Sequence, residues 1–189
     1  GGVDKGLQPF HAQPLVQHVL ERLRPQVQAL GINANRHPEA YAAFRAPVWP
    51  DGNDDYAGPL SGFRVGLQHS HTPYLLTAPC DTPFLPLDLA QRLGQALDAD
   101  TADIAMAAAP ETDAAGVTRV RTQPVFCLLR AELLPSLQAF MDEGGRKIDA
   151  WTARHHTVEV RFDRPGDDPR AFFNINTLQE LQTLQVTPP

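Results

Sequence analysis

The stretch Pro73-Tyr74-Leu75-Leu76-Thr77-Ala78-Pro79-Cys80-Asp81-Thr82-Pro83 decides the reading of the fold. Pro73 to Ala78 is a compact apolar run, as expected of a strand buried in a parallel sheet with helices on both faces. The residues after it are stiffened by Pro79 and Pro83. Asp81 is therefore a carboxylate on a rigid loop, directly after a buried strand.

Helices and strands alternate on either side of this stretch. Upstream, Leu60, Phe63 and Leu67 have helical spacing and predict a helix over 59–69. Val48 and Trp49 read as a short strand leading into the turn-like Asp51-Gly52-Asn53. Residues 38–44 read as a short helix after Pro38, and 27–33 as a strand. A helix over 14–24 starts at Pro14 and puts Leu15, Val16, Val19, Leu20 and Leu23 on one face. Downstream, Leu89, Leu93 and Leu97 predict a helix at 86–97. Residues 103–109 and 124–129 are further buried strands, and 131–143 is helical through Leu134, Leu137 and Met141. Val158, Val160 and Phe162 alternate as in a strand with one solvated face. A last helix begins at Thr177, whose spacing to Glu180 is that of a capping box. The alternation predicts an α/β fold with an open, mostly parallel sheet.

Composition narrows the function. With 189 residues, 42% hydrophobic and 20% charged, the chain reads as one globular domain with one sizeable core. A formal net charge of -6 argues against a general nucleic-acid binder, which needs a basic face to displace counterions. It leaves room for an anionic ligand, since one lysine and a loop of backbone N–H groups make a local positive site. The two cysteines, Cys80 and Cys127, make no disulfide framework and no zinc pair, so a reducing cytoplasm is the expected compartment. No apolar run approaches a membrane span, and no secretory signal opens the chain. His69 with His71, and His155 with His156, lack the spacing that shares a helix face. They read as surface or partly buried histidines rather than metal ligands.

In open α/β sheets, ligands bind outside the carboxyl ends of the strands. The unusual segments fall there: Gly1-Gly2-Val3-Asp4-Lys5-Gly6, Asn33-Ala34-Asn35-Arg36-His37, Trp49-Pro50-Asp51-Gly52, the Asp81 loop, and Asn174-Ile175-Asn176-Thr177. Their convergence on one edge is the argument for a site. Asp81 has the chemistry of a magnesium ligand, because magnesium takes one or two carboxylates and completes its shell with phosphates and water. An Asp that starts the turn toward the next helix is the alternative. Lys5 in its glycine-rich stretch suits phosphate, or else is a solvated lysine of a chain end. Asn33 and Asn35 donate and accept, as reading a base or ribose edge requires, and Asn174 and Asn176 have the same capacity. All four also serve as turn residues. Gly58-Pro59-Leu60-Ser61-Gly62 is a substrate loop or simply a helix start. Cys80 has no paired base and reads as a small buried residue.

Taken together, these segments resemble the molybdenum cofactor guanylyltransferase family. The matching blocks are Gly1 to Leu7, Asn33 to His37, Asp51, Gly58 to Gly62, Pro79 to Pro83 and Asn174 to Thr177, in family order. The resemblance implies a three-layer α/β/α nucleotidyltransferase fold, Rossmann-like. It implies an enzyme that moves GMP from GTP to the terminal phosphate of molybdopterin, with Mg2+ as cofactor. It implies that Lys5, Asn33, Asp51 and Asp81 bind the nucleotide, that Asp81 also holds the metal, and that Lys5 and Asp81 serve catalysis. Asn174 and Asn176 would work near the metal or pterin, and Gly58 and Gly62 on the nucleotide or pterin side of the cleft. Molybdenum-insertion proteins and molybdoenzyme chaperones are the protein partners it implies.

Members of this family open with a strand and a Leu-Ala-Gly-Gly loop carrying an arginine. The present sequence begins inside the block that follows. The expectation is that the first strand and most of the phosphate loop precede Gly1, within one nucleotidyltransferase domain that includes residues 1–189. A chain that truly began at Gly1 would read instead as a non-catalytic pterin carrier or adaptor. A sister family transfers CMP to the same pterin. It has Gly-Asp-Met-Pro in place of Cys80-Asp81-Thr82-Pro83 and an Asp in place of Asn174, so guanine is the expected base. Another nucleotidyltransferase, or a generic α/β domain whose motifs are turns and caps, completes the alternatives.

Overall fold

A computed structural model of the chain describes residues 4–52 and 58–174. A 3-10 turn at Lys5–Leu7 leads into a small antiparallel hairpin of Pro9–Phe10 (β1) and Gln13–Pro14 (β2). Helix α1 (Leu15–Leu23) follows, then Ile32–Asn33 (β3), α2 (Pro38–Ala42) and Val48–Trp49 (β4). Next come α3 (Pro59–His69), β5 (Tyr74–Leu76) and α4 (Leu89–Ala99). The long strands β6 (Ile104–Thr112) and β7 (Thr118–Arg130) precede α5 (Leu134–Asp142), α6 (Ile148–Thr152) and β8 (Thr157–Arg161).

Alternation along the two long strands divides the apolar residues between two cores. Ala105, Ala107, Phe126 and Leu128 face one way, against Val19 and Leu23 of α1 and Leu89, Leu93 and Leu97 of α4. Ile104, Met106, Cys127 and Leu129 face the other way, against Leu60, Phe63 and Leu67 of α3, Leu137, Phe140 and Met141 of α5, and Trp151 of α6. Strands covered on both faces read as continuous apolar runs, which is why their spacing carries no period of two. The result is helix, sheet, helix, as expected. Each fully buried leucine in these layers stabilises the fold by roughly 1.5–3 kcal/mol through area removed from water.

Strand direction fits a mostly parallel sheet, with β5, β6 and β8 running the same way and β7 alone of its described strands reversed. The four-stranded sheet has the order β5-β7-β6-β8. β8 is parallel to β6, but β7 is antiparallel to both of its neighbours. The cause is the connection. β6 and β7 are joined by a tight turn in which Asp113 Oδ1 accepts the N–H groups of Ala115 and Val117 at 3.0 Å each, with Gly116 at φ 79°. A turn that short can only return the chain antiparallel. The apolar run at 124–129 carries no record of direction, whereas Asp113-Ala114-Ala115-Gly116 does. β3 and β4 form a separate parallel pair, Ile32 opposite Val48 and Asn33 opposite Trp49.

Other boundaries shift for local reasons. The strand expected over 27–33 is reduced to Ile32–Asn33, because Arg24-Pro25-Gln26 extends α1 as a 3-10 turn. Helix α4 starts at Leu89, beyond Pro86, and Asp88 gives it no side-chain cap. Gln26 Oε1 accepts the N–H of Ala90 instead, at 2.9 Å, satisfying one of the first-turn donors from a distant segment. Helix α6 is too short for a periodic signal, yet Trp151 is fully buried there. The expected turn residue Asn53, and the expected last helix from Thr177 with its capping box, lie outside the described residues.

After β8, the chain is pinned to the sheet by a buried cation. Arg92 of α4, 7% exposed, donates to Asp167 Oδ1 at 2.8 Å and to the carbonyl of Arg161. Its guanidinium lies 3.8 Å from the centre of the Phe162 ring. Phe162 and Phe126 both pack edgewise on Phe172. These contacts carry the chain back toward Asn174. Among the described residues no helix is long and apolar enough to cross a membrane.

Candidate active site

The loop after β5 is aimed by the strand it leaves. The N–H of Thr77 donates to the Cys127 carbonyl at 2.9 Å, and its hydroxyl donates to the Val125 carbonyl at 2.7 Å. The chain therefore stays on β7 until Ala78, then turns. Asp81 follows with a side chain only 14% exposed, and the Lys5 ammonium stands 3.9 Å from its Oδ2. Burial raises the Asp81 carboxyl above the ordinary carboxylate range, and Lys5 offsets part of that. Beside it, the buried Thr82 hydroxyl donates to Asn174 Oδ1 at 2.6 Å. Lys5, Asp81 and Asn174, expected from separate blocks, are thus brought to one loop cluster.

A second cluster sits past the ends of β3 and β4. Their parallel register sets Asn33 beside Trp49, so the residues just beyond face one another. Asn33 Nδ2 donates to Asp51 Oδ1 at 2.9 Å, and Asn35 Nδ2 donates to Asp51 Oδ2 at 2.6 Å. The Asp51 N–H returns a bond to Asn35 Oδ1 at 2.8 Å. Each carboxylate oxygen keeps acceptor capacity beyond one such bond. The cluster is exposed and can present it to a ligand.

The Gly58–Gly62 segment supports this cluster from below. Gly58 opens α3 with φ 65°, a conformation that favours glycine. A methyl group on Gly62 would come to 3.0 Å from Asn33 Oδ1, so glycine there leaves room for the asparagine. Arg64 of the same helix donates to the Asp51 carbonyl at 2.7 Å.

Sequence reasoning passed over Arg64, and also Tyr41. Tyr41 is buried, and its hydroxyl donates to Asp4 Oδ1 at 2.6 Å. A buried phenol needs a polar partner, and that requirement was the available signal. Arg64 offered none, since an arginine on a helix ordinarily reads as a solvated face.

Cys80 is partly buried and packs against the small core of Val16, Leu20, Ile32 and Tyr41. Burial, with the charge of Asp81 behind it, pushes its thiol up to about 11. It is a packing residue, as its lack of a paired base indicated. His69 stacks on Trp49 at 4.3 Å, and His155 meets the Ser136 hydroxyl at 2.8 Å. Among the described residues no group of three or more His, Cys, Asp or Glu could hold a metal. The largely buried Asp81 carboxylate does fit magnesium, which keeps waters and phosphates in its shell and needs no protein cage. Gly1 to Val3 and Asn176 lie outside the described residues.

Comparison with known proteins bears on the family. Residues 1–158 match the model of the MobA-like NTP transferase domain. The chain is 62% identical over 186 residues to the molybdenum cofactor guanylyltransferase of Acidovorax ebreus (strain TPSY), covering 98% of this chain and 88% of that protein. It is 61% identical to the enzyme of the same name from Albidiferax ferrireducens, covering 100% of this chain and 90% of that one. Among solved structures it resembles molybdopterin-guanine dinucleotide biosynthesis protein A from Archaeoglobus fulgidus, with a TM-score of 0.75 at 19% identity, over 97% of this chain and 90% of that chain. It also resembles 2-C-methyl-D-erythritol 4-phosphate cytidylyltransferase from Thermus thermophilus, with a TM-score of 0.73 at 14% identity, over 96% and 92% of the two chains. These structural likenesses give the nucleotidyltransferase fold, and the sequence identities place the chain in the molybdenum cofactor guanylyltransferase family.

Proposed function

We propose that the chain acts as one nucleotidyltransferase domain that joins GMP from GTP to the terminal phosphate of molybdopterin, with Lys5, Asn33, Asp51 and Asp81 holding the nucleotide. The observation that carries this reading is the pair Lys5 and Asp81 3.9 Å apart, together with the Asn33–Asp51 hydrogen bond, on loops whose Cys80 and Ala34 pack on the same small core. One pair has the chemistry of a phosphate and metal site. The other has the hydrogen-bonding capacity of a base or ribose site.

The reaction is an in-line displacement. An oxygen of the pterin phosphate forms a bond to the α-phosphorus of GTP, the bond from that phosphorus to the bridging oxygen breaks, and pyrophosphate leaves. Nucleophile and electrophile are both anionic, so their repulsion must be reduced before they meet. Lys5 brings a positive charge to the phosphates. Asp81 would hold Mg2+, which when bound neutralises phosphate charge and orients oxygens. Asn33 and Asp51 fix the nucleoside, which converts binding into alignment. Asn174, held by Thr82 beside Asp81, would work toward the metal or pterin, together with Asn176. Gly58 and Gly62 line the nucleotide or pterin side. No covalent enzyme intermediate is required.

The test is to supply the full-length protein with Mg2+, molybdopterin and equal GTP and CTP, and to follow pyrophosphate. Pterin-dependent loss of GTP alone is expected. Loss of CTP would assign the sister activity, and loss of neither would sink the transferase reading.

A further inference from the structure

Between the two clusters of the site lies a contact that neither the nucleotide nor the metal assignment uses. His37, directly after the Asn33–Arg36 segment, is the N-cap of helix α2 and has φ 50°. Tyr41 projects from this helix into the small core beneath the loops and is 3% exposed. Its hydroxyl donates to Asp4 Oδ1 at 2.6 Å, and Asp4 immediately precedes the 3-10 turn that carries Lys5. Gln8 Nε2 donates to the Asp4 carbonyl at 3.3 Å and closes the same turn.

Gly6 shows how tightly three loops meet here. A methyl group on it would lie 2.6 Å from the Tyr41 hydroxyl and 2.9 Å from Cys80 Sγ. Cys80 adjoins Asp81. Tyr41 therefore touches the lysine loop through Asp4 and meets Cys80 on the loop of the aspartate. Burial and the Asp4 hydrogen bond both keep the phenol protonated, so it remains a donor.

We propose that Tyr41 is a positioning residue for nucleotidyl transfer: by holding Asp4 it sets Lys5 against Asp81 and ties that pair to the segment bearing Asn33 and Asn35. The inference rests on the reading that Lys5 and Asp81 receive the nucleotide phosphates. Tyr41 itself touches no reacting atom. Its hydroxyl supplies a charge-assisted bond to the Asp4 carboxylate, beside the Gln8 bond to the Asp4 carbonyl and the Lys5–Asp81 pair. Misplacement by a fraction of an ångström is costly to aligned reactions.

The experiment compares Tyr41→Phe, Asp4→Asn and the double variant in the full-length protein, measuring kcat, KM for GTP and Tm. Tyr41→Phe is expected to lower kcat/KM for GTP about tenfold, mainly through KM, while Tm stays within about 3 °C of the parent. The double variant should be no worse than the more impaired single one, because both remove the same bond. A second variant guards against a purely structural effect. Gly6→Ala should impair GTP turnover, and Tyr41→Phe should relieve part of that loss by removing the oxygen the new methyl meets. Unchanged kinetics in Tyr41→Phe, or additive losses in the double variant, would overturn the proposal. Asp81→Ala separates the two levels of inference: near-normal turnover there would defeat the phosphate-site reading, whatever Tyr41 does.

Discussion

The Lys5 ammonium stands 3.9 Å from Asp81 Oδ2, on a loop far away in sequence. The separation is too long for a strong hydrogen bond, yet it sets a half-exposed ammonium beside a largely buried carboxylate. Nucleotidyl transfer needs that arrangement. In the proposed reaction the lysine would serve phosphate oxygens and the carboxylate a cation.

Asp81→Ala is expected to reduce turnover by roughly 10³-fold or more, with an unchanged circular dichroism spectrum. Pyrophosphate release with saturating Mg2+ is the measurement. Turnover near the parent rate would remove Asp81 from the metal.

Lys5→Ala should weaken GTP binding by roughly 10–100-fold, the range for losing a hydrogen bond to a charged group. Calorimetric titration with GTP reads this directly. An unchanged dissociation constant returns Lys5 to the role of a solvated lysine.

Asn33→Ala and Asp51→Ala should each weaken GTP binding, and the double variant should show less than the sum. The two side chains share a hydrogen bond of 2.9 Å and act as one unit. Additive losses in the same titration would mean that they work separately.

The raised Asp81 carboxyl makes a statement about stability. A carboxyl whose folded pKa lies above its unfolded value favours the fold most at pH below the unfolded value. That contribution is lost as pH rises through the folded pKa. Asp81→Asn is therefore expected to raise Tm at neutral pH without metal or nucleotide, and to change it little at the acid end. Thermal scans across pH decide the point, and a lowered Tm at pH 7 would contradict it.

Toward the end of the described residues, Asp167→Ala should destabilise by roughly 3 kcal/mol, because it leaves the buried Arg92 with only the half-exposed Asp88, 3.7 Å away, as a counter-charge. Burial raises the Asp167 carboxyl, but the hydrogen bonds from Arg92 and from the Arg164 N–H outweigh it and hold it below the usual range. Its contribution is thus present above the unfolded pKa and is lost as pH falls through the folded one. The parent's advantage over Asp167→Ala should shrink in acid, as chemical denaturation at two pH values would show.

What the sequence determined was the identity of the layers and of the loops. Leu89, Leu93 and Leu97 mark a helix face, because periodicity records which faces avoid water, whereas Pro73 to Ala78 marks a strand whose expected burial is only partial: β5 ends the described sheet with Tyr74 exposed and Leu75 and Leu76 part-buried. The polar blocks after those strands were legible as a candidate site because ligands of open α/β sheets bind past the strand ends, although the same residue types also make turns and caps. Only the tertiary structure decided strand direction, since an apolar run such as Phe126 to Leu129 has the same composition whichever way it runs. Only the tertiary structure, too, brought Arg64 under Asp51, Tyr41 onto Asp4 and Asn174 onto Thr82. A hydrogen bond between residues distant in the chain depends on where the backbone places them. Local spacing carries no trace of that placement.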